Sequence, residues 1–329
     1  MKAFVTGGTG FVGGALVRKL LEVGYEVRAL VRAGTNTRQL HGLPVEQVEG
    51  DLRDPDSLQR GVAGCQLLFH VAALYSFWGY TDDDFFQVNV EGTRNALEAA
   101  LKAGLERVIY TSSIATLAFH EDRSPVDERD PSRLEDMITP YKRTKYLAEE
   151  VAREYADQGL PVLILNPSSP VGVGDHKPTA TGQVVVDFLN GRMFGYVDTG
   201  MNIVDVEDVA IGHLLAVEHG EVGQRYILGG ENLTLKQVLD LLAEVSGLPQ
   251  VKLRIPHSVA LAWSYIDTGI ARLNRNHIPA ATPDKVRQSR RYEFYDSSKA
   301  IRELGFPKSS AREAFRKSVE WYRTNGYAP

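Results

Sequence analysis

Tyr141 and Lys145 stand four residues apart in the run YKRTK, and the Thr139-Pro140 pair before them reads as a helix start. On a helix that spacing puts both side chains on one face. A lysine ammonium beside a tyrosine hydroxyl favours the phenolate and lowers its pKa. A tyrosine so tuned can donate a proton to a carbonyl oxygen or remove one from a hydroxyl. Ser113 follows the apolar run Arg107 to Thr111 (RVIYT) and is a candidate to hydrogen-bond the same oxygen. The chemistry expected is proton transfer at an alcohol or carbonyl, coupled to movement of a hydride.

A carrier of that hydride needs a cradle, and Lys2 to Gly24, KAFVTGGTGFVGGALVRKLLEVG, has the form of one. The apolar run Ala3, Phe4, Val5 stops at a cluster of glycines. From Phe11 onward apolar residues recur at helical spacing, so the stretch reads as strand, tight turn, helix. Gly7, Gly10 and Gly13 are three apart, and GTGFVG also satisfies the G-x-G-x-x-G form. The first glycine allows the turn, the middle one lets backbone N–H groups approach a pyrophosphate, and Gly13 lets helix pack closely on strand. The helix then begins with free N–H groups and the positive end of its dipole facing the phosphates. A dinucleotide site is expected here.

The second strand, Tyr25 to Val31, ends at Arg32, where NAD sites carry an Asp or Glu for the ribose 2′-hydroxyl. A guanidinium suits a 2′-phosphate, whereas a carboxylate would repel it. NADP(H) is therefore the preferred cofactor, with NAD(H) as the alternative. Asp51, after a third strand at Val45 to Glu49, lies where the adenine amino group could be read. Leu67 to Ala73 is a buried parallel strand whose small end, Ala72-Ala73, would let a cofactor lie against the backbone. His70 within it reads as a satisfied core histidine.

Phe85 to Ala103 reads as a long helix carrying Asn89, Thr139 to Tyr155 as another, and Pro161 to Leu165 as a sixth strand. Strands alternating with helices specify an α/β fold, a Rossmann-type doubly wound parallel sheet. Beyond Ser168 the pattern loosens into the loop VGVGDHKPTATG and a helix from Gln183 to Leu189. Ile203 to Val217 is expected to add one more strand and helix to the main sheet. From Tyr226 onward short elements suggest a smaller, mixed α/β substrate lobe. The dinucleotide domain is thus expected over 1–167 plus about 201–224, and the substrate lobe over about 168–200 plus 225–329.

With 43% hydrophobic and 24% charged residues, the 329-residue chain has the composition of a soluble globular protein. A net charge of −5 gives no reason to expect nucleic-acid binding. Cys65 is the only cysteine, so no intrachain disulfide can form, and the eight histidines lack the paired spacing of a metal site. The first strand starts at residue 2, which leaves no room for a signal peptide. The most apolar helix candidate, Ser258 to Leu273, is interrupted by Asp267 and Arg272, so no stable membrane insertion is expected. A cytoplasmic location is the expectation.

Taken together, VTGGTGFVGGAL, VEGDLRD, FHVAA, VNVEGTRN, VIYTSSIAT, YKRTK, LNPSSPVG, VDVEDVA, YILGGENLTL and YDSSKAIRELGF resemble the extended short-chain dehydrogenase/reductases over almost the whole chain. Within them the sequence is most similar to the aldehyde and flavonoid reductase-related group, and especially to members named hopanoid-associated sugar epimerases, whose sequences the run KPTATGQVVVDFLNGRMFGYVDTG resembles. The resemblance implies that Ser113, Tyr141 and Lys145 form a catalytic triad, with Lys145 on the nicotinamide ribose and Ser113 orienting the carbonyl. Asn89 matches a helix asparagine near the active site; its alternative is a polar helix residue bonding backbone. The resemblance further places Gly7, Thr9, Gly10, Phe11, Val12 and Gly13 on the cofactor, with Arg32, Asp51, Leu52, Ala72, Ala73, Thr111 and Pro167 along its length. A homodimer through the helices near 85–103 and 139–157 is implied as well. One departure is Asp205, in VDVEDV, where the family often has a histidine.

Two reactions fit this machinery. A reductase gives hydride to a ketone or aldehyde; a nucleotide-sugar epimerase takes a hydride, lets the ketone reorient and returns it. Arg32 favours the reductase, as does the aromatic loop around Tyr75 and Trp78, which could wall an apolar substrate. His176 and Lys177 could instead bind the diphosphate of a nucleotide sugar. A non-enzymatic dinucleotide sensor ranks lower, because it would not need the Tyr141 and Lys145 pair.

Overall fold

A computed structural model describes residues 1–76, 79–273 and 282–329. The chain begins β1 (Lys2–Thr6), α1 (Phe11–Glu22), β2 (Glu26–Val31), β3 (Val45–Glu49), α2 (Pro55–Val62), β4 (Leu67–His70). A long helix follows as α3 (Asp82–Phe85), a π-helical turn (Phe86–Glu91) and α4 (Gly92–Ala103). Next come β5 (Arg107–Thr111), α5 (Pro140–Asp157), β6 (Val162–Pro167), β7 (Ser169–Val171), α6 (Ala180–Leu189), β8 (Gly195–Tyr196), β9 (Gly200–Asp205) and α7 (Val206–His219). The last part holds β10 (Arg225–Leu228), β11 (Glu231–Thr234), α8 (Leu235–Ser246), β12 (Leu253–Arg254), α9 (His257–Leu273), α10 (Pro283–Gln288), β13 (Tyr292–Glu293), α11 (Ser298–Leu304) and α12 (Ala311–Thr324).

Seven strands form one parallel sheet in the order β10-β6-β5-β4-β1-β2-β3. β4 and β6 are buried along their whole length, as expected of central strands covered by helices on both faces. β3 (VEQVE) exposes Glu46, Gln47 and Glu49, and lies at the edge where such residues meet water. One apolar layer joins α1 and α7 to the sheet; the opposite layer contains Leu97 and Ala100 of α4 and Ala148 and Ala152 of α5. The chain runs outward from β1 to β3, then returns to β4 on the other side of β1. A crevice therefore opens at the carboxyl ends of β1 and β4, the usual ligand position in such sheets.

The smaller lobe has its own core, in which α6, α8 and α12 pack together beside β9. Its sheet has the order β11-β9-β13, with β7 also on β9. The strand expected near Ile203 to extend the main sheet is this β9, and the seventh place in the main sheet belongs to β10. The sequence pattern is the same for either home, since both are buried. Only α7 of that unit lies on the main sheet's helical layer, against α1. The helix expected from Gln183 begins earlier, at Ala180, because Thr179 accepts a hydrogen bond from the Gly182 N–H and caps it.

Candidate active site

The turn between β1 and α1 is drawn as tightly as its glycines permit. Gly7 has φ +77°, and a Cβ there would stand 2.6 Å from the Ala72 nitrogen. A Cβ on Gly13 would stand 2.1 Å from the Gly7 carbonyl oxygen, so only glycine lets α1 sit this close to the turn. Helices α2, α5, α6, α7, α8 and α12 each begin on a capping side chain, whereas α1 begins on Gly10 with none. Its first N–H groups are left facing the crevice, as an anion site requires.

From this turn a cleft of about 1070 Å³ runs across the carboxyl ends of the strands. It is lined by every residue expected on a cofactor: Gly7, Thr9, Gly10, Phe11, Val12, Gly13, Arg32, Asp51, Leu52, Ala72, Ala73, Thr111, Tyr141, Lys145 and Pro167. Two polar atoms in its wall, Ser168 Oγ and His176 Nδ1, are buried with no protein partner, so the residues present fit a polar guest. At one end Arg32 is exposed. Asp51 is held by Arg53 through two 2.9 Å bonds from Nε and Nη2, which bring its carboxyl down to about 2.

At the other end stand Ser113, Tyr141 and Lys145. Burial pushes the Tyr141 hydroxyl above its ordinary value, and a hydrogen bond with Ser113 pulls the other way. The expected lowering by Lys145 is not found. Lys145 Nζ donates instead to Tyr110 Oη (2.9 Å) and to the Thr111 carbonyl (2.8 Å), and burial brings its pKa down to about 7. The shared helix face was read correctly, but the lysine reaches back to β5 and not along the helix to the tyrosine.

Glu149 is a residue that sequence reasoning missed. It lies 2% exposed on α5 and accepts from Ser112 Oγ (2.6 Å), Thr116 Oγ1 (2.8 Å), Asn166 Nδ2 (2.9 Å) and Arg153 Nη2 (2.6 Å). Burial alone would raise its pKa, yet these bonds and the charges of Arg153 and Arg225 hold it below the usual carboxylate range. Asn166 also donates to the Ser113 carbonyl at 3.0 Å, so the carboxylate fixes the segment that carries the Ser113 hydroxyl. Its signal was a second four-residue step, from Lys145 to Glu149, on the helix face that starts at Tyr141.

Asn89 is placed differently from Ser113, Tyr141 and Lys145. It sits buried in the π-helical turn, where Oδ1 accepts from the Leu74 N–H (2.7 Å) and Nδ2 donates to the Leu74 carbonyl (3.1 Å) and to Thr144 Oγ1 (3.1 Å). It holds the loop after β4 against α5. The Tyr75 ring on that loop meets Tyr141 edge-on, with centroids 4.8 Å apart. Trp78 lies outside the described residues. The His176 ring packs against Trp321, and burial lowers its pKa, while Lys177 is exposed at the rim. His70 is the core histidine expected, between Thr6 Oγ1 (2.7 Å) and Thr93 Oγ1 (3.0 Å), with its pKa lowered to about 3 by burial. Asp205 caps α7 and pairs with Lys317 (2.9 Å).

Residues 3–229 match the NAD dependent epimerase/dehydratase family. The chain belongs to that family. It is accordingly an NAD(P)-dependent oxidoreductase or epimerase of the extended short-chain type. It is 46% identical to a Synechocystis protein provisionally named a dihydroflavonol 4-reductase, over 98% of this chain and 95% of that one. It is 36% identical to sterol demethylase protein B of Methylococcus capsulatus, over 99% of both. The crystal structure of gox2253, 41% identical, superposes with a TM-score of 0.89 over 99% of both chains. Among the described residues, no helix is long and apolar enough to cross a membrane.

Proposed function

We propose that this protein is an NADP(H)-dependent reductase of a ketone or aldehyde with a large apolar body. The observation that carries the reading is the hydrogen-bonded, half-buried pair of Tyr141 and Ser113 hydroxyls in the cleft, with Tyr141 raised by desolvation. A tyrosine that keeps its proton is a donor, which is what reduction of a carbonyl needs. Arg32 supports NADP(H), since it stands after β2 and the neighbouring carboxylate, Asp51, is already neutralised by Arg53. Tyr75 supports an apolar substrate, as do the flavonoid and sterol in the names of the relatives.

In this reading the Gly7 to Gly13 turn holds the pyrophosphate, Asp51 and Leu52 the adenine end, Arg32 the 2′-phosphate, and Ala72, Pro167 and Ser168 the nicotinamide end. Bound NADPH supplies the hydride. Ser113 orients the carbonyl oxygen by a hydrogen bond, and Tyr141 gives it the Oη proton as negative charge develops there. Lys145, fixed by Tyr110 and the Thr111 carbonyl, would hold the nicotinamide ribose in the same cleft.

The test is nicotinamide consumption by the purified protein, with NADPH against NADH, and with aromatic and aliphatic ketones and nucleotide sugars in parallel. Stoichiometric NADPH loss with a ketone is the expected result. A nucleotide sugar that changes stereochemistry with no net cofactor loss would replace the reductase by an epimerase.

A further inference from the structure

Helix α9 is built inside out. Its inward positions are Ser264, Asp267 and Ala271, all buried. Its outward stripe is Val259 (56% exposed), Trp263 (56%), Ile266 (56%), Ile270 (44%) and Leu273 (91%), at steps of four, three, four and three. A helix on a globular core turns its apolar stripe inward, so this one faces something other than its own core. Cations flank the stripe, with Arg272 exposed near the end of α9 and α10 packed against α9. Between 252 and 291 there are eight Lys and Arg against two Asp, in a chain whose net charge is −5. Arg287 and Arg290, on and just after α10, are exposed, and Arg287 donates to Tyr265 Oη at 2.5 Å beside the stripe.

We propose that α9 lies flat on an anionic membrane surface. Its apolar stripe sits at the acyl boundary, with Arg272, Arg287 and Arg290 at the headgroups. Charge decides the occupant. A second copy would bring two cationic rims together, whereas anionic lipid neutralises the rim. Helix α9 runs unbroken over 17 residues but carries Asp267 and Arg272, which suits lying along a bilayer and not across it. The position is also informative: Gln288, the last residue of α10, bonds Glu293 at 2.9 Å, and both line the cleft. The membrane face therefore adjoins the cleft, where a lipid-dissolved substrate would enter. That consequence rests on the proposed substrate class; the membrane contact itself does not.

The experiment is co-sedimentation of the full-length protein with vesicles of phosphatidylcholine alone or with about 30% phosphatidylglycerol. Wild type is expected to bind the anionic vesicles and to bind the neutral ones at least about tenfold more weakly. Trp263→Ser with Ile266→Ser, and separately Arg287→Gln with Arg290→Gln, should each lose about 30-fold in anionic binding while keeping the melting temperature and NADPH affinity. Absence of wild-type binding to anionic vesicles, or unchanged binding in both double variants, would overturn the proposal. So would a dimer in analytical ultracentrifugation that the Trp263 and Ile266 variant splits, which would assign the stripe to a second copy. NADPH turnover of a water-soluble ketone in the absence of vesicles reports on the reductase separately.

Discussion

Replacing Glu149 by Gln changes almost no volume but removes the charge at the centre of a buried network. Three donors converge on Oε2: Ser112, Thr116 and Asn166. Turning each charge-assisted bond into a neutral one costs about 1 kcal/mol, hence about 3 kcal/mol for the set. A chain of this length unfolds with an entropy of about 0.7 kcal/mol per kelvin, so the melting temperature should fall by about 4 °C near pH 7. The pH dependence fixes the cause. The folded carboxyl titrates below its ordinary value, so its contribution is present above about pH 4.5 and is lost as pH falls through the folded pKa. Glutamine does not titrate. In paired thermal melts the gap between wild type and Glu149→Gln should therefore be widest near neutrality and should narrow on acidification below about pH 4.5. Because Asn166 also holds the Ser113 carbonyl, the variant should lose turnover with little change in NADPH affinity. Equal melting temperatures at neutral pH, or a gap that persists unchanged in acid, would refute the assignment of a charged, load-sharing Glu149.

Tyr141→Phe should lower turnover by about 10²- to 10⁴-fold while NADPH affinity, read by fluorescence titration, stays near wild type. Arg32→Asp should weaken NADPH by about 100-fold and leave NADH nearly unchanged; equal losses for both would remove Arg32 from 2′-phosphate recognition. Lys145 titrates at about 7 when folded, against an ordinary value of 10.5, so wild type should gain stability relative to Lys145→Met as pH rises from about 7 toward 10, and parallel denaturant-unfolding curves would contradict this. Gly13→Ala places a methyl 2.1 Å from the Gly7 carbonyl oxygen and should cost about 1–3 kcal/mol with a matching loss of NADPH binding; wild-type affinity and stability would show that the turn has more room than its geometry indicates.

The glycine turn was legible in the sequence because its conformation is local. Glycines at 7, 10 and 13 between an apolar run and a helical pattern leave few other backbones, and the alternation of strands and helices prescribes the sheet around them. The pairing of Tyr141 with Lys145 on one face was equally local, a matter of helical pitch. Tertiary structure decided what those side chains touch. Lys145 meets β5, and Tyr141 meets Ser113 and Tyr75, because the helix docks with that face against the strand ends. It also decided the home of β9, the use of Asn89 as a loop brace and the burial of Glu149, none of which has a periodic signature that differs between the alternatives. For α9 the sequence contained the apolar stripe but not its direction. Burial of Ser264 and Asp267 turns that stripe outward, and solvent exposure is a property of the assembled chain alone.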